Sequence, residues 1–200
     1  MTDTYLSIAS ESTGTYRDKA SKFLSFSYPV AGEDEVRDRM QQLRKKYHDA
    51  NHHCFAYRLG PEGIQYRVSD DGEPSGSAGK PILGQLISFK VSDVLIVVVR
   101  YFGGTKLGIP GLINAYRSSA RQSLENATIF TKFIESKILV TFPFEEMNSI
   151  MKIVKTPGVT ILTKVLDQEC QFELMVRKSL GDSIRDRLTK ASKALMVKEG

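Results

Sequence analysis

Apolar and polar positions follow three different rhythms along this chain, and each predicts a different element. From Lys22 to Val30, KFLSFSYPV is dense in aromatic and apolar residues and runs into Pro29, as an early strand would. The period then changes: in EDEVRDRMQQLRKKYHDA, Val36, Met40, Leu43 and Tyr47 recur at helical spacing, with Glu33, Asp34 and Glu35 at the end where a helix favours acids. HHCFAYRLG and IQYRVS read as two strands joined by a turn through Gly60-Pro61-Glu62-Gly63. PILGQLISF opens with a proline suited to a first helical turn and aligns Ile82, Leu86 and Phe89 on one face. DVLIVVVRYF is a continuous, largely β-branched run, the pattern of a central strand buried on both faces. A helix follows from Leu112 to Glu125, with Leu112, Ala115, Tyr116, Ser119 and Leu124 inward and Asn114, Arg117 and Arg121 outward.

Near residues 126–134 the pattern restarts. IESKILVTFP predicts a strand, FEEMNSIMKIVKTPG a short helix ended by Pro157-Gly158, VTILTKVLD and CQFELMVRK two strands around Asp167-Gln168-Glu169, and residues 180–195 a helix. That β-α-β-β-α order fits a small open sheet with helices on one face, and a boundary near Thr131 divides the chain into domains 1–131 and 132–200.

Composition narrows the class without naming a function. The chain has 200 residues, 41% of them hydrophobic and 26% charged, which is ordinary for a folded globular protein. Its net charge of +5 is spread over both halves and permits attraction to phosphate-rich partners without requiring it. Cys54 and Cys170 are the only cysteines and stand far apart, so no disulfide framework or cysteine-rich zinc site is expected. The N-terminal stretch lacks the apolar core of a secretory signal, and VLIVVV is too short to span a bilayer. These features predict a soluble cytoplasmic protein without a membrane partner.

The candidate chemistry lies in two glycine-rich connections. Gly72, Gly76 and Gly79 punctuate SDDGEPSGSAGKP, and Gly103, Gly104, Gly108 and Gly111 punctuate GGTKLGIPG. Glycine permits close backbone approach, and clustered backbone N–H groups make concavities for anions. Lys80, Arg100, Lys106 and Arg117 add positive charge around them. Asp70, Asp71 and Glu73 repel a bare phosphate, yet they suit a Mg²⁺ ion beside one, or ion pairs with those cations. Three readings therefore stand: a cradle for an anionic ligand, a Mg²⁺-dependent enzyme acting on a phosphorylated or nucleotide ligand, and two tight connections fastened by internal ion pairs.

Known motifs decide little between them. Pro81 follows Lys80 where a P-loop needs Ser or Thr, and Ile109 follows Gly108 where it needs Lys. No G-x-G-x-x-G follows the buried strand. On a strand over 52–59, His52 and Cys54 share a face, but two ligands do not close a metal site, and Cys54 lies in a segment apolar enough to hold an inert thiol. Ser75 and Ser77 lack the strand-turn-helix setting of a nucleophile elbow and suit backbone-bonding turns. Arg121 and Glu125 have the spacing of a solvated helical pair. No catalytic residue, metal site or cofactor is assigned.

DANHHCFAYRLG, SDDGEPSGSAGKPILGQL and VVVRYFGGTKLGIPGLINAYRSSA, in that order and spacing, resemble the three linked motifs of the YigZ/IMPACT family, from about Asp49 to Ala120. The remainder resembles the small C-terminal domain of the bacterial two-domain members. The resemblance implies an α+β protein: an N-terminal domain similar to the second domain of ribosomal protein S5, then a ferredoxin-like domain. It also implies translation-linked binding to RNA or a ribosome-associated partner. Eukaryotic IMPACT proteins bind the ribosome-associated activator of an amino-acid-starvation kinase. Bacteria lack that kinase, so that role is not carried over. Some members carry a peptidase label, for which these residues offer no metal set or nucleophile. Ser77 stands where many members have threonine, which keeps the hydroxyl. Pro110 stands where many have glycine, which removes one N–H from the second loop. The ligand-binding set is thus Asp70, Asp71, Glu73, Ser75, Gly76, Ser77, Gly79, Lys80, Arg100, Gly103, Gly104, Lys106, Gly108 and Arg117.

Overall fold

A computed structural model describes residues 3–167, 169–191 and 196–199, the last four by their backbone alone. The chain forms two compact units, one of Tyr5–Lys132 and one of Phe133 onward together with the first few residues. Both mix helices and strands.

The larger unit is built on a five-stranded antiparallel sheet of β2 (Ser12–Asp18), β3 (Ser21–Pro29), β6 (Val94–Tyr101), β4 (His52–Leu59) and β5 (Gln65–Ser69), in that spatial order. The β-branched run is its central strand, and Val94 to Val99 are all fully buried. Each such side chain contributes roughly 1.5–3 kcal/mol relative to an exposed one. Strand alternation divides the core in two. Leu95, Val97 and Val99 face α1 (Glu33–Lys46), with Val36, Met40 and Leu43 against them. Val94, Ile96 and Val98 face α2 (Gly79–Ser88) and α3 (Gly108–Glu125). One helix thus covers one face of the sheet and two cover the other.

Small residues let α3 lie close on β2 and β3. A Cβ on Gly14 would stand 2.6 Å from the Ser123 nitrogen. Ser25 Oγ donates to the Ser119 carbonyl at 2.6 Å, and the Ser27 and Ser123 hydroxyls meet at 2.7 Å. SSARQS therefore carries two buried hydroxyls, those of Ser119 and Ser123, each with a partner.

In the smaller unit, β8 (Glu135–Pro143), β9 (Val159–Val165), β10 (Glu169–Arg177) and β11 (Met196–Glu199) form an antiparallel sheet in the order β11-β8-β10-β9. The buried positions of β8 and β10 alternate, and with α4 (Met147–Val154) and α5 (Gly181–Ala191) they enclose a core including Phe142, Phe172, Leu174, Ile150, Ile184 and Leu188.

The pattern missed four strands. β1 (Thr4–Ile8) and β7 (Ile129–Phe133) pair in a two-stranded sheet; every residue of β7 but Lys132 is exposed, so no alternation marks it. β2 is rich in Ser, Thr and Gly, and joins β3 through Lys19 and Ala20, both at positive φ (43° and 63°), where the usual signal is Asn-Gly. β11 follows the helix expected over 180–195, in a stretch for which no element was expected; residues 192–195 of that helix lie outside the described residues, as does Gln168 of the expected turn. A further difference bears on function: α3 begins at Gly108, four residues before the expected start, so about half of the second glycine stretch is helical.

Candidate functional site

The first glycine stretch runs from the end of β5 to the start of α2. α2 has no side-chain cap of its own, because its N-cap is Ala78. Asp70 supplies the acceptor instead. Its Oδ1 takes the N–H groups of Ala78 (3.0 Å) and Gly79 (2.8 Å), and its Oδ2 that of Gly76 (2.8 Å). A carboxylate at the positive end of a helix dipole is stabilised there. Burial pushes the Asp70 carboxyl up, but the N–H bonds from Gly76, Gly79 and Ala78 outweigh it and hold the group below its usual range. The anion expected in this cradle is thus the protein's own.

The neighbouring residues are equally committed. Asp71, at φ 42°, accepts the His53 N–H at 2.6 Å and the Arg44 guanidinium at 2.9 Å. Ser77 is buried and donates its hydroxyl to the Pro74 carbonyl at 2.6 Å. Gly79 is required by space, since a Cβ would stand 2.8 Å from the Ser69 nitrogen.

Beneath this loop lies a buried polar cluster. Glu73 Oε1 accepts Arg100 Nη1 at 2.6 Å and the Tyr116 hydroxyl at 2.7 Å, with His52 Nε2 at 3.8 Å. Arg100 comes from the end of β6, where Phe23 and His52 are its cross-strand neighbours, and Tyr116 comes from the inner face of α3. Cys54 Sγ lies 2.9 Å from the Asp70 carbonyl oxygen and 3.3 Å from the Tyr116 hydroxyl oxygen. Burial raises both the Cys54 thiol and the Tyr116 phenol far above their ordinary ranges, so neither ionises near neutrality. Cys54 is an inert thiol, and no disulfide links it to the buried Cys170.

The first loop is therefore joined through Glu73 to the strand preceding the second loop and to the helix following it. In the second stretch, Gly103 stacks on the β2–β3 turn and donates its N–H to Ser21 Oγ at 3.1 Å, while Gly104 is at φ 85°. Gly108 to Gly111 form the first turn of α3. Pro110 sits where helical N–H groups have no intrahelical partner, so its missing N–H breaks no helix bond. Like α2, α3 starts with neither a side-chain cap at its N-cap nor an acid in its first turn.

Ser75, Lys80, Lys106 and Arg117 are exposed, and among the described residues the three cations have no ion-pair partner. Arg121 pairs with Glu125 at 2.7 Å. A Mg²⁺ site does not fit the three acids, because hydrogen bonds already occupy both oxygens of Asp70 and of Asp71, and Glu73 is tied to Arg100 and Tyr116. Among the described residues no group of three His, Cys, Asp or Glu side chains is placed to hold a metal. Two clefts, of about 380 and 340 Å³, are lined by no residue of either loop.

Sequence reasoning left three contributors out of the set. Tyr116 was legible as an inward residue, and a buried tyrosine signals a hydroxyl in need of an acceptor. Phe102, exposed beside Gly103-Gly104, follows a strand that is otherwise buried. Asn51, whose Oδ1 accepts the Phe102 N–H at 2.7 Å, carries no signal in the pattern.

Residues 19–124, which hold both loops and the buried cluster, match the family described as the Impact N-terminal domain. The chain belongs to the IMPACT family. Among its relatives, an IMPACT family member of Haemophilus influenzae is 29% identical over 90% of this chain and 88% of its own. The IMPACT family member YigZ of Escherichia coli is 39% identical over 55% of each chain. A crystal structure described as that of a hypothetical protein matches with a TM-score of 0.77 at 27% identity, over 98% of this IMPACT-family chain and 97% of its own. No helix among the described residues is long and apolar enough to cross a membrane.

Proposed function

We propose that this IMPACT-family chain is a non-enzymatic cytoplasmic protein that binds an anionic macromolecular surface linked to translation, RNA or a ribosome-associated partner. One observation carries the reading: the acids of the first loop are consumed inside the fold, whereas Lys80, Lys106 and Arg117 are exposed and unpaired. A site so arranged presents net positive charge to solvent beside the uncapped start of α3. The link to translation is supported by membership of the family.

The same proposal includes the architecture. Residues 1–131 are a domain similar to the second domain of ribosomal protein S5. Residues 132–200 are a ferredoxin-like domain, a reading supported by the strand order β11-β8-β10-β9.

Cosedimentation with ribosomes and with RNA across a salt series tests the function. Association should weaken as salt rises, and further in Lys106→Glu and in Arg117→Glu, each lost phosphate contact lowering the salt slope by about one. Association unchanged in both variants rejects this surface.

A further inference from the structure

Phe102 is 45% exposed, in a loop whose backbone is held at Phe102 and at Gly103. Its own N–H is held by Asn51 Oδ1 at 2.7 Å, and the next residue, Gly103, is packed on the backbone of Ala20 and Ser21. Single apolar residues on a surface are ordinary. What distinguishes this one is the cation behind it. The Arg100 guanidinium carbon lies 5.5 Å from the Phe102 ring centroid and 5.4 Å from that of buried Phe23.

Arg100 is only 6% exposed, and its Nη1 is locked to Glu73 at 2.6 Å. Its Nε is buried with no hydrogen-bond partner. A guanidinium held there fixes the ring from within, by a cation–π contact, and leaves ring surface open to solvent. Exposed Lys106 lies four residues further along the same loop.

A rigid aromatic surface beside unpaired cations is how proteins hold single-stranded nucleic acid: the ring stacks on an unpaired base and the cations meet the phosphates. We propose that Phe102 is a stacking platform for an unpaired nucleobase of a single-stranded nucleic acid, with Lys106 meeting its backbone. This rests on the anionic-surface reading above and narrows its ligand to a strand with unstacked bases. Base-paired stems, whose rings are already stacked, do not suit it.

Fluorescence anisotropy of the full chain with labelled oligouridine and oligodeoxythymidine tests this. Phe102→Leu should weaken binding about tenfold to a hundredfold without changing the salt slope, and Phe102→Trp should restore it. Lys106→Ala should reduce the slope by about one. Ring-dependent binding of either oligomer supports the proposal, and the ratio between them tells which nucleic acid the site prefers. Single strands bound equally well by Phe102→Leu, or displaced equally well by duplex RNA, overturn it. If the Lys106→Glu and Arg117→Glu variants lose ribosomes while Phe102→Leu keeps them and its single strands, the anionic surface stands and the stacking platform falls. If Phe102→Leu loses only a protein partner, the ring serves a protein interface and the proposal is wrong. An unchanged unfolding midpoint in Phe102→Leu confirms that the comparison is between folded proteins.

Discussion

Arg100 Nη1 and Glu73 Oε1 meet at 2.6 Å with both side chains almost wholly buried, one at the end of the central strand and the other in the middle of a glycine-rich loop. A buried pair of this kind adds little net stability over a well-packed apolar pair, but it is costly to break on one side. It also places the two loops: Glu73 cannot leave without stranding a guanidinium and the Tyr116 hydroxyl.

Glu73→Gln should therefore cost about 3–5 kcal/mol, because it leaves the Arg100 charge buried and uncompensated. Arg100→Met in the same background should recover much of that loss. Chemical denaturation of the two single variants and the double variant gives the coupling directly. Additive effects would mean that the pair does not hold the loops together.

Asp70 leads to a separate prediction, since its partners are backbone N–H groups and not a cation. Asp70→Ala removes an N-terminal acceptor and should destabilise by about 0.5–2 kcal/mol, the range for lost helix caps. It also empties the cradle formed by Gly76, Ala78 and Gly79. Sulfate should then raise the melting temperature of Asp70→Ala more than that of the natural chain. Equal shifts would show that these N–H groups do not form an anion site once vacated.

How much of this could be read beforehand depended on whether a role shows in residue type or only in three dimensions. The central strand was legible because Val94–Val99 is apolar at every position, and α1 because Val36, Met40 and Leu43 repeat at helical spacing. The two glycine stretches were legible as special, but not what filled them. Nothing in DDGEPSG says that Asp70 turns onto N–H groups up to nine residues ahead, or that Glu73 turns inward to an arginine 27 residues away. Lys19-Ala20 hid the β2–β3 hairpin because neither residue type advertises a positive φ. The start of α3 was misplaced because Gly-Ile-Pro-Gly reads as a loop, although glycine and proline are both tolerated in a first helical turn.

Acid should destabilise the larger unit in two steps. Burial lowers the His53 pKa, and nearby Asp71 offsets that only in part; its Nε2 is buried without a partner. A histidine protonated more readily in the unfolded chain makes stability fall as pH drops below about 6.5. Asp93 behaves oppositely to its burial, which raises its pKa: hydrogen bonds from Lys132, Tyr5 and the Gly60 N–H outweigh that and hold it low. Its contribution, like that of Asp70, is present above about pH 4 and is lost as pH falls through the depressed folded value. Denaturation midpoints against pH should show both steps, and His53→Phe should abolish the upper one alone. An upper step that survives His53→Phe would assign it to another group.

Gly103 and Gly104 are adjacent but required for different reasons, and alanine substitution separates them. A Cβ at Gly103 would stand 2.1 Å from the Ala20 carbonyl carbon and 2.4 Å from the Ser21 nitrogen, so backbone must move on one side or the other. At Gly104 there is open space, and only φ, at 85°, disfavours a side chain. Gly104→Ala should cost about 1–2 kcal/mol, the strain of a left-handed L-residue. Gly103→Ala should cost about 1–3 kcal/mol or more by overpacking, and should displace the loop from the β2–β3 turn. Nucleic-acid binding should accordingly suffer more in Gly103→Ala than in Gly104→Ala when the two are compared at equal fractions folded. If the order is reversed, the packing of Gly103 against Ala20 is not what positions Phe102.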